Sequence, residues 1–200
     1  MVVGIAGAYG SGKDEAASVL TAEFGFERVN FADALKAEVA ATLPLTLAAY
    51  ADEYNADVRG IKDSEWLLER RRPLSVTDLL QEHKPPVIRA LLQEWGTELR
   101  RREDAEYWVR RWSARVAAIG GLTHIVSTDV RFPNEATAIK AMGGRLVKIL
   151  RPGFAGDSHA SERGLDHWTE WDAEWRNDRS LPLFHEEVRA WARRSLPINL

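Results

Sequence analysis

Residues 4–14 read "GIAGAYGSGKD", and the reading of this stretch decides the fold. Before it, Val2 to Ala6 is a short apolar run with β-branched residues, suited to a buried strand. After it, residues 13–24 carry Ala16, Ala17, Leu20 and Phe24 at helical spacing until Gly25 stops them. Between strand and helix, Gly7, Gly10 and Gly12 precede Lys13 in the spacing G-x-x-x-x-G-K. Glycines admit backbone angles closed to other residues, so N–H groups can converge on an anion. The start of a helix adds the positive end of its dipole. A lysine at that point reaches β- and γ-phosphates. Gly7, Gly10, Ser11, Gly12, Lys13 and Asp14 are therefore the expected nucleotide-binding residues. Asp14 stands where the common form of the motif has a Ser or Thr bound to Mg²⁺. A carboxylate there suits the first turn of a helix and leaves the ion to water or to groups elsewhere.

Outward from this stretch, strand and helix patterns alternate. "ERVNFA" (27–32) reads as a second strand, and "DALKAEVAATL" (33–43) as a helix capped by Asp33. Residues 44–105 are polar, charge-rich and helical, without a strand pattern, as in an all-helical insertion. "DAEYWVRRWSARVAAI" (104–119) is a further helix ending at Gly120 and Gly121. "HIVSTD" (124–129), "RLVKIL" (145–150) and "AEWRND" (173–178) read as strands. "PNEATAIKAM" (133–142), with proline at its start, and "LPLFHEEVRAWARR" (181–194) read as helices. Alternation of this kind predicts an α/β fold, a parallel sheet covered on both faces. A loop rich in Gly, Asp, Ser and His covers 151–167.

Composition sets bounds. The 200 residues suit one domain, 45% hydrophobic and 28% charged, enough for one sizeable core. A net charge of −3 speaks against a nucleic-acid-coating surface. The chain has no cysteine, so disulfides and thiolate metal sites are excluded, and a cytoplasmic home is expected. The longest uncharged run, "AATLPLTLAAYA", is about half a membrane span and contains Pro44, so no membrane association is expected. Trp95, Trp108 and Trp112 have the spacing of helix faces, as core residues do.

"IVSTDVRFPNEA" (125–136) is the second informative stretch. Asp129 ends an apolar strand, where open α/β sheets bind ligands, and is a candidate partner for Mg²⁺ or its waters. Arg131, two residues on, is placed to reach a phosphate. Arg151 and Arg163 lie on the 151–167 loop, where a phosphoryl-transfer lid needs arginines. "DSHASE" (157–162) pairs His159 with Ser161, but no acid partner and no nucleophile elbow accompany them. The arginine runs 70–72 and 100–102 are the kind usually found on solvated helix faces, with Arg100 the better candidate for substrate contact.

Taken in order, "GSGKD", "FADALK" (31–36), "LLQEWGTELRR" (91–101), "YWV" (107–109), "DVRFPNEA" (129–136) and "DSHASE" make the chain resemble the bacteriophage deoxynucleoside monophosphate kinases over nearly its whole length. The resemblance implies a P-loop kinase fold: a three-layer αβα domain with a five-stranded parallel sheet, a helical acceptor-binding insertion at about 44–105 and a lid at about 151–167. It implies transfer of the γ-phosphoryl group of ATP to a deoxynucleoside monophosphate, with Mg²⁺. By the same likeness Lys13, Arg131 and Arg151 act on the transferred group, and Asp129 anchors the metal through water. Phe31, Ala32, Lys36, Gln93, Thr97, Arg100 and Arg131 hold the acceptor, with Phe31 stacking on or packing against the base. Family members often have Thr after the aspartate of the loop, whereas this chain has Glu15, so Ser11 is the nearest hydroxyl. If the protein is phage-encoded, its cytoplasm is the host's.

Two other readings stay open at this level. One is a different small-molecule P-loop kinase, of the dephospho-coenzyme A kinase type. The other is a P-loop protein that binds ATP without transferring it, motivated by the missing hydroxyl after Lys13. A homodimer is also open, since the sequence does not fix oligomeric state.

Overall fold

A computed structural model of the chain describes residues 1–59, 74–81, 84–153 and 163–196, without the side chains of 56–59. In chain order the elements are β1 (Val2–Ala6), α1 (Lys13–Phe24), β2 (Phe26–Arg28), α2 (Phe31–Thr42) and α3 (Pro44–Arg59). Then come α4 (Val76–Gln81), α5 (Pro86–Gln93) with a π-wound continuation over Glu94–Arg101, and α6 (Tyr107–Ile119). They are followed by β3 (His124–Ser127), α7 (Pro133–Ala141), β4 (Arg145–Leu150), β5 (Ala173–Arg176) and α8 (Leu181–Ser195). The chain divides into two compact units, Met1–Phe31 with Glu106–Leu200, and Ala32–Ala105.

The first unit is a five-stranded sheet in the order β2-β3-β1-β4-β5, parallel throughout. This is the α/β, three-layer architecture expected from the alternation. Its central strand shows how. Val3 and Ile5 face one core with Ala16, Ala17 and Leu20 of α1 and Phe184, Val188 and Trp191 of α8. Ala6 faces the other, with Trp112 of α6 and Ala136 and Ile139 of α7. Gly4 shares that second face for a steric reason. A Cβ on it would lie 2.5 Å from Ile139 Cδ1 and 2.9 Å from Leu146 Cδ2. A glycine there lets α7 settle close on the sheet.

Past its end, the β2–β3 pairing is prolonged by one backbone bond and then by side chains. Val29 N–H donates to Val126 O at 3.0 Å, and Ser127 Oγ donates to Val29 O at 2.5 Å. Asn30 Oδ1 accepts from Thr128 N–H at 2.8 Å, and Asp129 Oδ1 accepts from Phe31 N–H at 3.0 Å. These contacts correct the expected second strand and its helix cap. β2 stops at Arg28 and α2 begins at Phe31, so Asp33 lies in the first turn rather than at the cap. The carboxylate on the opening amide is that of Asp129, which is remote in sequence.

Every element described in the second unit is helical. Val39, Leu47, Leu80 and Ile88 form one buried cluster, and Ala51, Leu74 and Leu79 another. Asn55, buried, uses both ends of its amide on the N–H and C=O of Leu74. The π winding has no signal in the sequence pattern. It coincides with Gly96 packed on Leu35 and with Glu38 Oε1 accepting from both Trp95 Nε1 (3.0 Å) and Arg100 Nε (2.6 Å). No helix among the described residues is long and apolar enough to cross a membrane.

Candidate active site

The stretch 7–13 joins β1 to α1 as a loop whose carbonyls are held by side chains. Lys13 Nζ donates to Gly7 O and Ala8 O, both at 2.7 Å. Arg151 Nη1 donates to Gly10 O at 2.7 Å, and Asn177 Nδ2 donates to Ser11 O at 2.9 Å. Helix α1 starts after Gly12 with no side-chain cap, so its first amides are not taken by a capping side chain. Gly12 is a glycine that the geometry requires. Its φ is +101°, and a Cβ on it would lie 2.5 Å from Asn177 Nδ2 and 3.3 Å from Phe184 Cε1. Ser11 is 1% exposed, and its hydroxyl has no hydrogen-bond partner among the described residues. That hydroxyl sits 2.7 Å from the point a Gly7 Cβ would occupy.

Beside the loop is a cavity of about 440 Å³, lined by Gly7 and Ala8 together with Arg131, Lys148, Arg151 and Arg176. Asp166 and Asp178 also line it, with Trp171 and Leu165 as apolar walls. Among the described lining residues four cations stand against two carboxylates, a positive balance of the kind an anionic ligand requires. Lys148 Nζ lies 5.7 Å above the Trp171 ring, a cation–π contact that holds the ammonium at the wall.

Arg131 is oriented through its backbone. The buried Glu135 carboxylate accepts from Arg131 N–H at 2.7 Å and Phe132 N–H at 3.1 Å, closing the start of α7. This explains "VRFPNE" locally: Pro133 opens the helix, and Glu135 folds back onto the two amides before it. Gly164 lies against Arg131 O so closely that no Cβ fits, which packs the end of the 151–167 loop onto this segment.

The structure thus brings Gly7, Arg131 and Arg151 together around one cavity and holds the Gly10 and Ser11 carbonyls with Arg151 and Asn177. Other candidates lie differently. The Asp14 carboxylate is exposed and paired with Arg28 at 2.9 Å. Glu15 is 3.2 Å from His185 Nε2. Arg163 is paired with Asp166 at 3.2 Å. Lys36 donates to Gln81 Oε1 at 2.7 Å, within the helical unit. Ala32, Gln93, Thr97 and Arg100 belong to that unit too, and Arg100 is held by Glu38. Phe31, expected to stack on or pack against the base, has its ring turned to Trp112. Phe31 is 3% exposed, and its ring stacks on Trp112 with centroids 4.5 Å apart. Its backbone N–H donates to Asp129 Oδ1 at 3.0 Å. Residues 70–72, 157–162 and most of the expected lid lie outside the described residues.

Sequence reasoning missed Lys148, Arg176, Asn177 and Glu135. Lys148 had a signal, a lone cation inside the apolar run "RLVKIL". Glu135 had one as the third residue of a proline-started helix. Arg176 and Asn177 had none, because only the strand order brings the end of β5 to the loop.

Comparison with known proteins gives a consistent picture. A family model described as deoxynucleotide monophosphate kinase matches residues 62–188. A protein of Acanthamoeba polyphaga mimivirus named as a deoxynucleotide monophosphate kinase is 31% identical over 193 residues, 94% of each chain. The deoxynucleotide monophosphate kinase of Enterobacteria phage T4 is 29% identical over 106 residues, 51% of this chain and 44% of that one. Among solved structures, a dephospho-CoA kinase from Campylobacter jejuni aligns over 96% of both chains at 12% identity and a TM-score of 0.42, a likeness too loose to carry substrate or site across.

Proposed function

The chain belongs to the deoxynucleotide monophosphate kinase family, and from that premise we propose how its residues move a γ-phosphoryl group from ATP to a deoxynucleoside monophosphate. One observation carries the reading: the cationic cavity opens beside a glycine loop whose carbonyls are engaged and whose helix start is uncapped by side chains. ATP phosphates lie on that loop, at the positive end of α1. Lys13 sits on the loop already and moves between its carbonyls and the phosphates. Arg131, with its backbone fixed by Glu135, faces the acceptor phosphate. Arg151, anchored at Gly10 O, stands beside the transferred group and neutralises charge that builds in the transition state. Lys148 and Arg176 add to the same field.

The residues fit a Mg²⁺ ion held chiefly by nucleotide and water. Among the described residues no group of three or more His, Cys, Asp or Glu is placed to bind a metal alone. The Asp129 carboxylate and the buried Ser11 hydroxyl, without a hydrogen-bond partner among the described residues, would hold it. When bound, the ion supplies positive charge at the β- and γ-phosphates. Asp14, paired with Arg28, acts as a first-turn acid. No general base is needed, since an acceptor phosphate oxygen is already ionised at neutral pH. Ala32, Lys36, Gln93, Thr97 and Arg100 of the helical unit take the acceptor. Within that unit Glu38 Oε1 accepts from Arg100 Nε at 2.6 Å and Glu103 from its Nη1 at 3.5 Å.

The test is a coupled ADP-release assay with ATP and Mg²⁺ against a panel of deoxy- and ribonucleoside monophosphates. Dephospho-coenzyme A and a no-acceptor control complete it. Turnover with one or more deoxynucleotides above the control is expected. Silence across the panel in a protein that binds ATP would overturn the reading.

A further inference from the structure

We propose that Asn177 is a positioning residue of the phosphate loop: its side-chain amide fixes the Ser11–Gly12 peptide so that Gly12 N–H faces the phosphates. This rests on the reading above that the loop holds ATP.

The argument begins with the peptide. The described chain has no cis peptide bond. In a trans peptide the C=O and the next N–H point in opposite directions. Asn177 Nδ2 donates to Ser11 O at 2.9 Å, so Gly12 N–H points away from Asn177. Asn177 is 9% exposed and Phe184, on the same side of Gly12, is 1% exposed. Away from them means away from the core, to the outer side of the loop.

Both partners are built for this contact. Asn177 follows β5 directly, and its own N–H donates to Leu150 O at 2.9 Å, so the sheet fixes its backbone. Gly12 yields the space, since its absent Cβ would lie 2.5 Å from the amide nitrogen. An aspartate would not serve. A carboxylate cannot donate to Ser11 O, and it would set negative charge beneath the phosphates. A glycine loop left without such a clamp is free to turn this peptide over, because glycine admits both hands of backbone.

The test compares Asn177→Asp and Asn177→Ala with the wild type in ATP affinity by titration calorimetry, in turnover and in thermal midpoint. Both variants are expected to bind ATP roughly ten-fold more weakly or worse, with lower kcat, because small misplacement of a positioning group is costly. The KM for the deoxynucleoside monophosphate stays within about two-fold, since the acceptor is held elsewhere. The thermal midpoint falls by only a few degrees. ATP affinity and kcat like the wild type's in both variants would overturn the proposal. Unfolding of both at assay temperature, or a lower midpoint with ATP affinity intact, would overturn it too, by showing a role in stability alone. Failure of the kinase reading is told apart by the wild type itself, which would then bind ATP and turn over no acceptor, while the affinity comparison still reports on Asn177.

Discussion

Replacing Gly12 by alanine tests the construction of the loop, and its cost can be worked from the geometry. The residue sits at φ +101°, ψ 21°, where an L side chain is strained. Such strain costs about 1–3 kcal/mol. The new methyl would also stand 2.5 Å from Asn177 Nδ2, well inside van der Waals contact. Asn177 must then retreat by roughly an ångström, which breaks its bond to Ser11 O. A lost hydrogen bond of this kind costs about 0.5–1.5 kcal/mol. Together the two give about 2–4 kcal/mol, within the stability of an ordinary domain, so the variant folds. At about 2–4 °C per kcal/mol for a chain of this size, the melting midpoint drops by about 5–15 °C. Gly25→Ala is the control. Gly25 has φ +69° with nothing within 4 Å of a Cβ, so it reports strain without the contact. Thermal melts of both variants, read by circular dichroism, and ATP titrations complete the comparison. If Gly12→Ala is no more destabilising than Gly25→Ala and binds ATP normally, the contact with Asn177 is unimportant and the reasoning fails.

Other perturbations follow from the same structure. Lys13→Ala should lower turnover by about two orders of magnitude or more with the fold retained, and full activity in the coupled assay would remove Lys13 from the chemistry. Trp112→Phe should keep the ring against Phe31 but lose the indole N–H bonds to Val29 O (3.1 Å) and Ser127 Oγ (3.0 Å). A chemical-denaturation shift of about 1–3 kcal/mol is expected, and none would show the indole N–H to be idle. The His124 pKa is held below its ordinary value, first by burial and then by the Met1 ammonium. The unfolded state therefore binds the proton more readily. The stability linked to His124 is complete above about pH 6.5 and is lost as pH falls below that. Melting midpoints between about pH 8 and about pH 5 should slope less in His124→Gln than in the wild type, and equal slopes would contradict the assignment.

Local order is what the amino-acid sequence determines by itself. The strand–glycine–lysine–helix passage at 2–24 is legible from the change of period between buried strand and helix, with glycines and a lysine at the junction. The same holds for "RFPNEA", where Pro133 and Glu135 define a helix start at short range. Alternation of strands and helices is enough to predict a parallel sheet, because parallel strands need crossovers. The strand order is not legible in the sequence, and that order decides the site. Placing β4 beside β1 and β5 beside β4 carries Asn177 to Ser11, 166 residues away in sequence, and sets Lys148 and Arg176 around the cavity beside Gly7. Tertiary packing also decides which candidates are already engaged elsewhere. Phe31, at a helix start, looks available to a ligand, yet Trp112 from a distant helix covers it. Asp14 looks like a phosphate neighbour, yet Arg28 at the end of β2 takes its carboxylate. A sequence states what each residue can do with its neighbours along the chain; which distant groups compete for it is settled only when the sheet and its covering helices close.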